Sequence, residues 1–177
     1  MLDKERIASA EKNVKAYLDE DLLKRTKEVD DRILNTFKKN TDESLNVANF
    51  IFEEDLSSLW VVVCSYYSMY YIANAVLYSL GYKVGHRISH KENADTLIIF
   101  VRGKLKASIL EEFDEAQIEA LELPNIKADE LVESFDFERV KRSKFQYEMT
   151  EEIKRSKAQT SLDRAKVFTF EMKKLLL

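Results

Sequence analysis

The residues of this sequence best suited to chemistry lie together in one short basic stretch. It contains two histidines and three cations, namely Lys83, His86, Arg87, His90 and Lys91. Imidazole titrates near neutral pH, and cationic side chains bind phosphate. In a catalytic version of such a site, His90 would be the general acid or base and Arg87 would stabilise a charged phosphorane. The stretch therefore predicts a site that contacts phosphate or RNA.

A predicted helix start supports this interpretation. Residues 89–92 read Ser-His-Lys-Glu, the capping-box pattern in which Ser89 caps a helix and Glu92 caps it in return. The free N–H groups of a first helical turn and the helix dipole attract anions, so Ser89 is a candidate phosphate-binding residue. The dipole also disfavours the imidazolium form of His90, and we expect a neutral ring at pH 7.

Three further residues complete the predicted site. Arg139 and Arg142, from a basic segment near the C-terminus, are expected to form its far wall, and Gly85 is expected to let the loop approach a ligand closely. The alternative is that Ser89 and Glu92 only cap each other while the basic side chains are solvated.

Several other kinds of site are absent from the sequence. It has no P-loop, GxGxxG or HExxH motif and no cysteine pairs, so we expect neither a cofactor nor a metal. The lone Cys64 lies among apolar residues and is interpreted as an inert, buried thiol. A single cysteine suits a reducing cytosol, and the first residues lack an apolar signal core, so we expect a cytoplasmic location.

The composition predicts an all-α fold. The 177 residues include three glycines and one proline, too few for the many tight turns of a sheet protein. The net charge of −4 excludes a globally basic nucleic-acid coat, although residues 83–106 carry six basic and two acidic groups. Long apolar stripes at helical spacing, joined by short loops, predict an up-and-down helical bundle.

The same spacing gives the expected bounds of the helices. The N-terminal region is charged and carries one apolar stripe, so we expect it to form one helix or two that end near Asn40-Thr41. Gly81 is expected to end a later, uncharged helix. The helices after the N-terminal region are expected at 42–52, 57–80, 90–102 and 108–121, with one or two more in the last forty or so residues.

The segment from Leu56 to Tyr82 has no charged side chain and is long enough to span a bilayer. It also holds several serines, and its tyrosines lie in the middle rather than at the two ends, where membrane helices carry them. A helix that is apolar on all sides is also what the centre of a soluble bundle requires. We therefore interpret the segment as a buried core helix, without a membrane partner.

The tyrosines of this helix are predicted to pack in the core. They are Tyr66, Tyr67, Tyr70, Tyr71 and Tyr78. Buried hydroxyl groups need hydrogen-bond partners, which we expect from Ser65, Ser68 or Asn74 on neighbouring turns. The alternative is that the rings stack on nucleic-acid bases, which requires that they reach the solvent.

Three parts of the chain, in order, resemble the HEPN family (higher eukaryote and prokaryote nucleotide-binding domains), and the third part consists of two segments. Residues 65–81, SYYSMYYIANAVLYSLG, are similar to the family's tyrosine-rich helix, and the Ile-Ser-His-Lys of 88–91 opens the next helix as in the family. The basic and aromatic residues of 139–147 and the segment 161–168 resemble the family's closing region. The resemblance divides the chain into an N-terminal helical extension, 1–41, which is expected to pack on the core, and a HEPN-like bundle, 42–177.

The resemblance implies a bundle of four or five helices, a homodimer and, in many members, a small nucleotidyltransferase partner in a toxin–antitoxin pair. Active members are metal-independent ribonucleases with Arg followed four to six residues later by His. This chain departs from that pattern, because only two residues separate Arg87 from His90. The motif is therefore not intact, and the sequence does not assign catalysis.

The first hypothesis is thus a HEPN-type helical protein that binds RNA, a nucleotide or a nucleotidyltransferase, in a toxin–antitoxin or defence-like setting. One alternative is a ribonuclease toxin that uses His90 and Arg87, and another is an adaptor bundle without a ligand. Apolar ridges on the first helical region and on the C-terminal stripe exceed what one core helix can cover, which predicts a homodimer.

Overall fold

The structure, a computed structural model, describes residues 3–85, 89–121 and 154–176. Within these ranges the chain is mostly helical, as predicted, and six α-helices pack together. The elements are α1 (Lys4–Asp19), β1 (Leu23–Arg25), α2 (Asp31–Glu53), α3 (Ser58–Ser79), β2 (Tyr82–Val84), α4 (Ser89–Phe100), α5 (107–121) and α6 (Arg155–Lys174).

Local capping explains the bounds of α3. The side chain of Ser57 accepts a hydrogen bond from the backbone N–H of Trp60 at 3.3 Å. At the other end Gly81 has φ +86°, a left-handed conformation that glycine adopts without the strain a Cβ would add. The predicted helix 57–80 and its stop at Gly81 are confirmed.

The uncharged helix α3 lies at the centre of the described structure. It contacts α2, α6, α4 and β2, and Met69, Ile72 and Leu77 are fully buried. By length and composition α3 could cross a membrane, but 67% of its most apolar window is buried among the other elements. The structure thus covers most of this segment with protein, as expected for a core helix.

The predicted C-terminal stripe also packs inward. Ala158, Leu162, Ala165, Phe168 and Met172 on α6 are all buried. Phe168 stacks on the α5 ring of Phe113, with the ring centroids 5.0 Å apart. The predicted helical spacing is confirmed, but the stripe covers the chain's own core and is not a free ridge for a second copy.

The predicted helix break at Asn40-Thr41 is wrong, because α2 continues from Asp31 to Glu53. Thr41 is buried inside this helix, and its hydroxyl donates to the backbone oxygen of Phe37 at 2.9 Å. A threonine that bonds back to the preceding turn does not interrupt a helix. The proposed boundary between 1–41 and 42–177 therefore falls inside one continuous helix.

The break lies earlier, between α1 and α2, and it holds the first strand of a two-stranded ribbon that the sequence did not predict. Asp21 has φ 56°, and β1 then pairs antiparallel with β2 in the register Leu23↔Val84 and Arg25↔Tyr82. The ribbon joins the N-terminal region to the strand that precedes α4. That strand carries Lys83, so the N-terminal region directly supports the predicted site.

A second link between α1 and α4 is a buried carboxylate. Asp95 on α4 is fully buried and accepts hydrogen bonds from Arg6 at 2.5 Å, Asn13 at 2.9 Å and Tyr17 at 2.9 Å. Arg6 also contacts Asp114 of α5, with 3.3 Å between nitrogen and oxygen. A buried charge of this kind is tolerated only while its partners are in place.

The first prediction concerns this link. We expect Arg6→Ala to lower the free energy of unfolding by about 2–3 kcal/mol, because it leaves Asp95 buried without a cation, while partial exposure of Arg6 moderates the loss. The measurement is urea unfolding followed by far-ultraviolet circular dichroism.

The matched control is Arg32→Ala. The Arg32 side chain is 92% exposed in its ion pair with Asp30, and solvent screening leaves such pairs with little effect on stability. We therefore expect no measurable change in the control. If Arg6→Ala and Arg32→Ala lowered the free energy of unfolding by the same amount, the Asp95 network would not be what holds α1 in place.

Candidate functional site

The candidate site centres on His90, in the first turn of α4. Its ring is half-buried against α3, and its Nδ1 lies 2.7 Å from the hydroxyl oxygen of Tyr66. The His90 ring centroid is 4.6 Å from that of Tyr70, 5.6 Å from that of Tyr66 and 6.0 Å from that of Tyr67. We call these four residues the tyrosine–histidine cluster.

The helical spacing of α3 places the three tyrosines of the cluster on one side. Tyr66 is buried at 1% exposure, whereas Tyr67 and Tyr70 are half-buried. The cluster is therefore neither the closed core predicted from the sequence nor an open platform. It is a partly exposed aromatic surface with one buried hydroxyl beneath it.

The hydrogen-bond partner of Tyr66 differs from the one expected. Ser68 donates to the backbone oxygen of Ser65 at 2.7 Å, and Asn74 donates to that of Tyr70 at 2.9 Å. Two of the three expected partners thus bond to their own helix, and the third, the hydroxyl of Ser65, is buried without a partner among the described residues. His90 of α4 satisfies Tyr66 instead. A contact between two helices replaces the local bond that the sequence suggested.

We assign the state of the His90 ring from this hydrogen bond. Burial raises the pKa of Tyr66 far above its usual value, so the phenol keeps its proton. His90 is its only hydrogen-bond partner among the described residues, so we assign the hydroxyl as the donor to Nδ1 and place the ring proton on Nε2. Burial also lowers the pKa of His90, which favours the neutral ring.

The cationic residues of the predicted site are only partly described. Lys83 is exposed on β2, and Lys91 is exposed in the first turn of α4. His86, Arg87, Arg139 and Arg142 lie outside the described residues, as does the side chain of Ser89, although Ser89 does open α4.

Glu92 does not form the reciprocal cap that the sequence predicts. Its side chain is fully buried, and neither carboxylate oxygen has a hydrogen-bond partner in the described part of the chain. Burial raises its pKa, although the nearby backbone N–H of Gly85 acts in the opposite direction.

A pocket of about 120 Å³ lies beside the cluster and shares Tyr70 with it. Its lining includes Phe37, Tyr78, Tyr82, Asn74 and Lys83. These residues come from α2, α3 and β2, so the pocket exists because the ribbon closes one side of the helix pair. Sequence reasoning missed it, because short strands leave no clear pattern.

Gly85 at the edge of the pocket is required by the ribbon. A Cβ at this position would lie 2.5 Å from the backbone oxygen of Leu22, a distance that real Cβ atoms do not show. This contact explains the glycine without a ligand, and its role in ligand approach stays a prediction. It lets the end of β2 lie directly against the turn before β1.

Two other predictions can be compared with the geometry. Cys64 is half-buried, and burial raises the pKa of its thiol, which is the opposite of what a nucleophile needs. Within the described residues, no group of three or more His, Cys, Asp and Glu side chains could hold a metal ion.

Comparison with known proteins adds no relative. No protein-family model matches the sequence, and no curated protein matches it. The resemblance to the HEPN family therefore rests on the motifs in residues 65–81, 88–91, 139–147 and 161–168.

The second prediction concerns the tautomer and the pKa of the His90 ring. In a His86→Gln variant, which leaves a single histidine, we expect nitrogen NMR to show Nδ1 as an unprotonated acceptor at neutral pH. The titration should give a pKa below the usual 6.5, because burial disfavours the imidazolium form.

Tyr66→Phe in the same background is the control, because it removes only the hydroxyl donor. We expect the two neutral tautomers to mix in this variant. A proton on Nδ1 before the substitution, or a pKa above 6.5, would contradict the assigned hydrogen bond.

Proposed function

We propose that this protein is a HEPN-type helical bundle that binds RNA or a nucleotide through the tyrosine–histidine cluster. The observation that carries the proposal is the His90 ring, held 4.6 Å from Tyr70 with Nδ1 occupied by Tyr66. The assigned tautomer leaves Nε2–H as a donor suited to phosphate or a base. Half-exposed Tyr67 and Tyr70 offer faces on which bases stack.

The charges around the cluster suit a nucleic-acid ligand. Lys83 and Lys91 are exposed on the two elements that flank the cluster, β2 and α4. Single-stranded binding sites combine cations that follow the backbone with aromatic rings that hold the bases. The net charge of −4 does not oppose this function, because binding depends on the local surface.

The geometry favours binding over catalysis. A general base needs a free ring nitrogen, and the assigned tautomer offers none, because in it Nδ1 accepts from Tyr66 and Nε2 carries the proton. Tyr66 cannot serve as the base, because burial raises its pKa. The spacing of Arg87 and His90 also departs from the ribonuclease motif.

We place the protein in the cytoplasm, and a small nucleotidyltransferase is the partner that the resemblance suggests.

The third prediction tests RNA binding directly. We expect a labelled single-stranded RNA to bind, with an affinity that falls as salt rises. Tyr67→Leu and His90→Ala should each weaken binding about tenfold, the scale of one lost base stack. Fluorescence anisotropy in EDTA gives the affinities, and Phe170→Leu is the control, an exposed ring on α6 whose loss should change nothing.

The same samples separate the alternatives. RNA cleaved in EDTA by the wild type, but not by His90→Ala, would identify a ribonuclease. Absence of both binding and cleavage would leave the adaptor bundle and overturn the proposal. Unchanged affinity in both cluster variants would show that RNA binds elsewhere.

We also propose a homodimer, but through a different surface from the one first predicted. The C-terminal stripe is buried, whereas Val47, Phe50, Leu56 and Trp60 are between 46% and 64% exposed. These four residues lie where α2 ends and α3 begins, and we call them the α2–α3 corner. Large apolar side chains gathered at one corner are typical of a protein interface.

The fourth prediction is the mass in solution. Light scattering at micromolar concentration should give twice the 20.7 kDa of one chain. Trp60→Glu should give a single chain with unchanged helicity, because a charge cannot be buried in an apolar interface. Phe170→Glu, a matched change outside the corner, should remain dimeric. A monomeric wild type would contradict the proposal.

A further inference from the structure

The outer face of the β1–β2 ribbon carries two cations side by side. In the register of the ribbon, Lys24 on β1 lies directly opposite Lys83 on β2, so the two side chains project from the same face. Both are exposed. Their neighbours Leu23 and Val84 alternate to the other face, where they pack on the chain's own core. One face of the ribbon therefore serves the fold, and the other presents a pair of positive charges to solvent.

This pair does not help the ribbon to form. Like charges directly opposite each other on neighbouring strands are destabilising. In the part of the chain that the structure describes, neither ammonium group has an ion-pair or hydrogen-bond partner. Asp21, the acidic residue nearest to Lys24 along the chain, is exposed in the turn before β1 and makes no ion pair with it. A negatively charged ligand on this face would offset the repulsion that the protein itself leaves in place.

The cation pair lies close to the tyrosine–histidine cluster. Lys83 and Tyr70 line the same pocket of about 120 Å³, so the ribbon borders the aromatic surface. The ribbon is also held against α4, because the Tyr82 ring stacks on that of Phe100 with 4.0 Å between the ring centroids. The two lysines are thus kept beside the rings, and a ligand can contact both surfaces at once.

We infer that the outer face of the ribbon binds the sugar–phosphate backbone of the single-stranded RNA whose bases stack on the cluster. Lys24 and Lys83 pair with its phosphate oxygens. The inference rests on the proposed function and adds to it a second contact surface, with Lys24 as a phosphate-binding residue. Phosphate contacts carry no sequence information, so the ribbon contributes affinity and salt dependence and not a preference among bases.

The experiment measures how the affinity for a labelled oligouridine depends on salt, by fluorescence anisotropy. Lys24→Gln and Lys83→Gln should each lower the slope of log affinity against log salt by about 0.7, the share of one phosphate on a single strand. Lys24→Arg keeps the charge and should keep the slope. Lys166→Gln removes an exposed charge from α6 and is the matched control, with an unchanged slope.

Urea unfolding of the free protein separates binding from folding. The urea midpoint of Lys24→Gln should be no lower than that of the wild type, because the substitution removes one member of a like-charge pair. A lower midpoint would show that Lys24 supports the ribbon itself, and it would overturn the inference.

The remaining outcomes distinguish the ribbon from the cluster. If RNA binding depends on His90 but Lys24→Gln leaves the slope unchanged, the ribbon inference fails and the proposed function stands. If the slope falls in Lys24→Gln while His90→Ala binds like the wild type, the ribbon binds RNA and the role of the cluster fails. If no RNA binds the wild type, both fail.

Discussion

The structure depends on one requirement, that a 22-residue helix without charged side chains be covered by the rest of the chain. This requirement explains why α2 and α6 turn their apolar stripes inward against α3. It also explains where the candidate site lies. The coverage is incomplete along a strip at helical spacing that includes Cys64, Tyr67 and Tyr70, and α4 meets this strip at His90. The aromatic surface is thus a part of the core helix that its neighbours leave open.

Two contacts with the N-terminal region, one through α1 and one through β1, hold α4 and β2 in position at the candidate site. The carboxylate of Asp95 ties α4 to three side chains of α1, and β1 pairs with β2 residue by residue. Lys83 and His90 therefore stand on elements that the N-terminal region positions. This region is therefore part of the support of the candidate site.

The sequence predicted α3 and α6 because long apolar stripes and Gly81 leave clear signals. It failed at Thr41, where a residue common in loops bonds back within a helix, and at the ribbon, whose three-residue strands are too short to show alternation. His90 was found from its neighbours in the chain. Its partner Tyr66 was not, because that contact joins residues 24 apart through the packing of two helices.

Trp60 is the only tryptophan of the chain, and its side chain is 55% exposed at the α2–α3 corner. An indole surrounded by water emits at long wavelength whether or not the rest of the protein is folded. The colour of its emission therefore says little about the core. It reports on whatever covers the corner, so a blue shift on raising the protein concentration would be an optical signature of association at that surface.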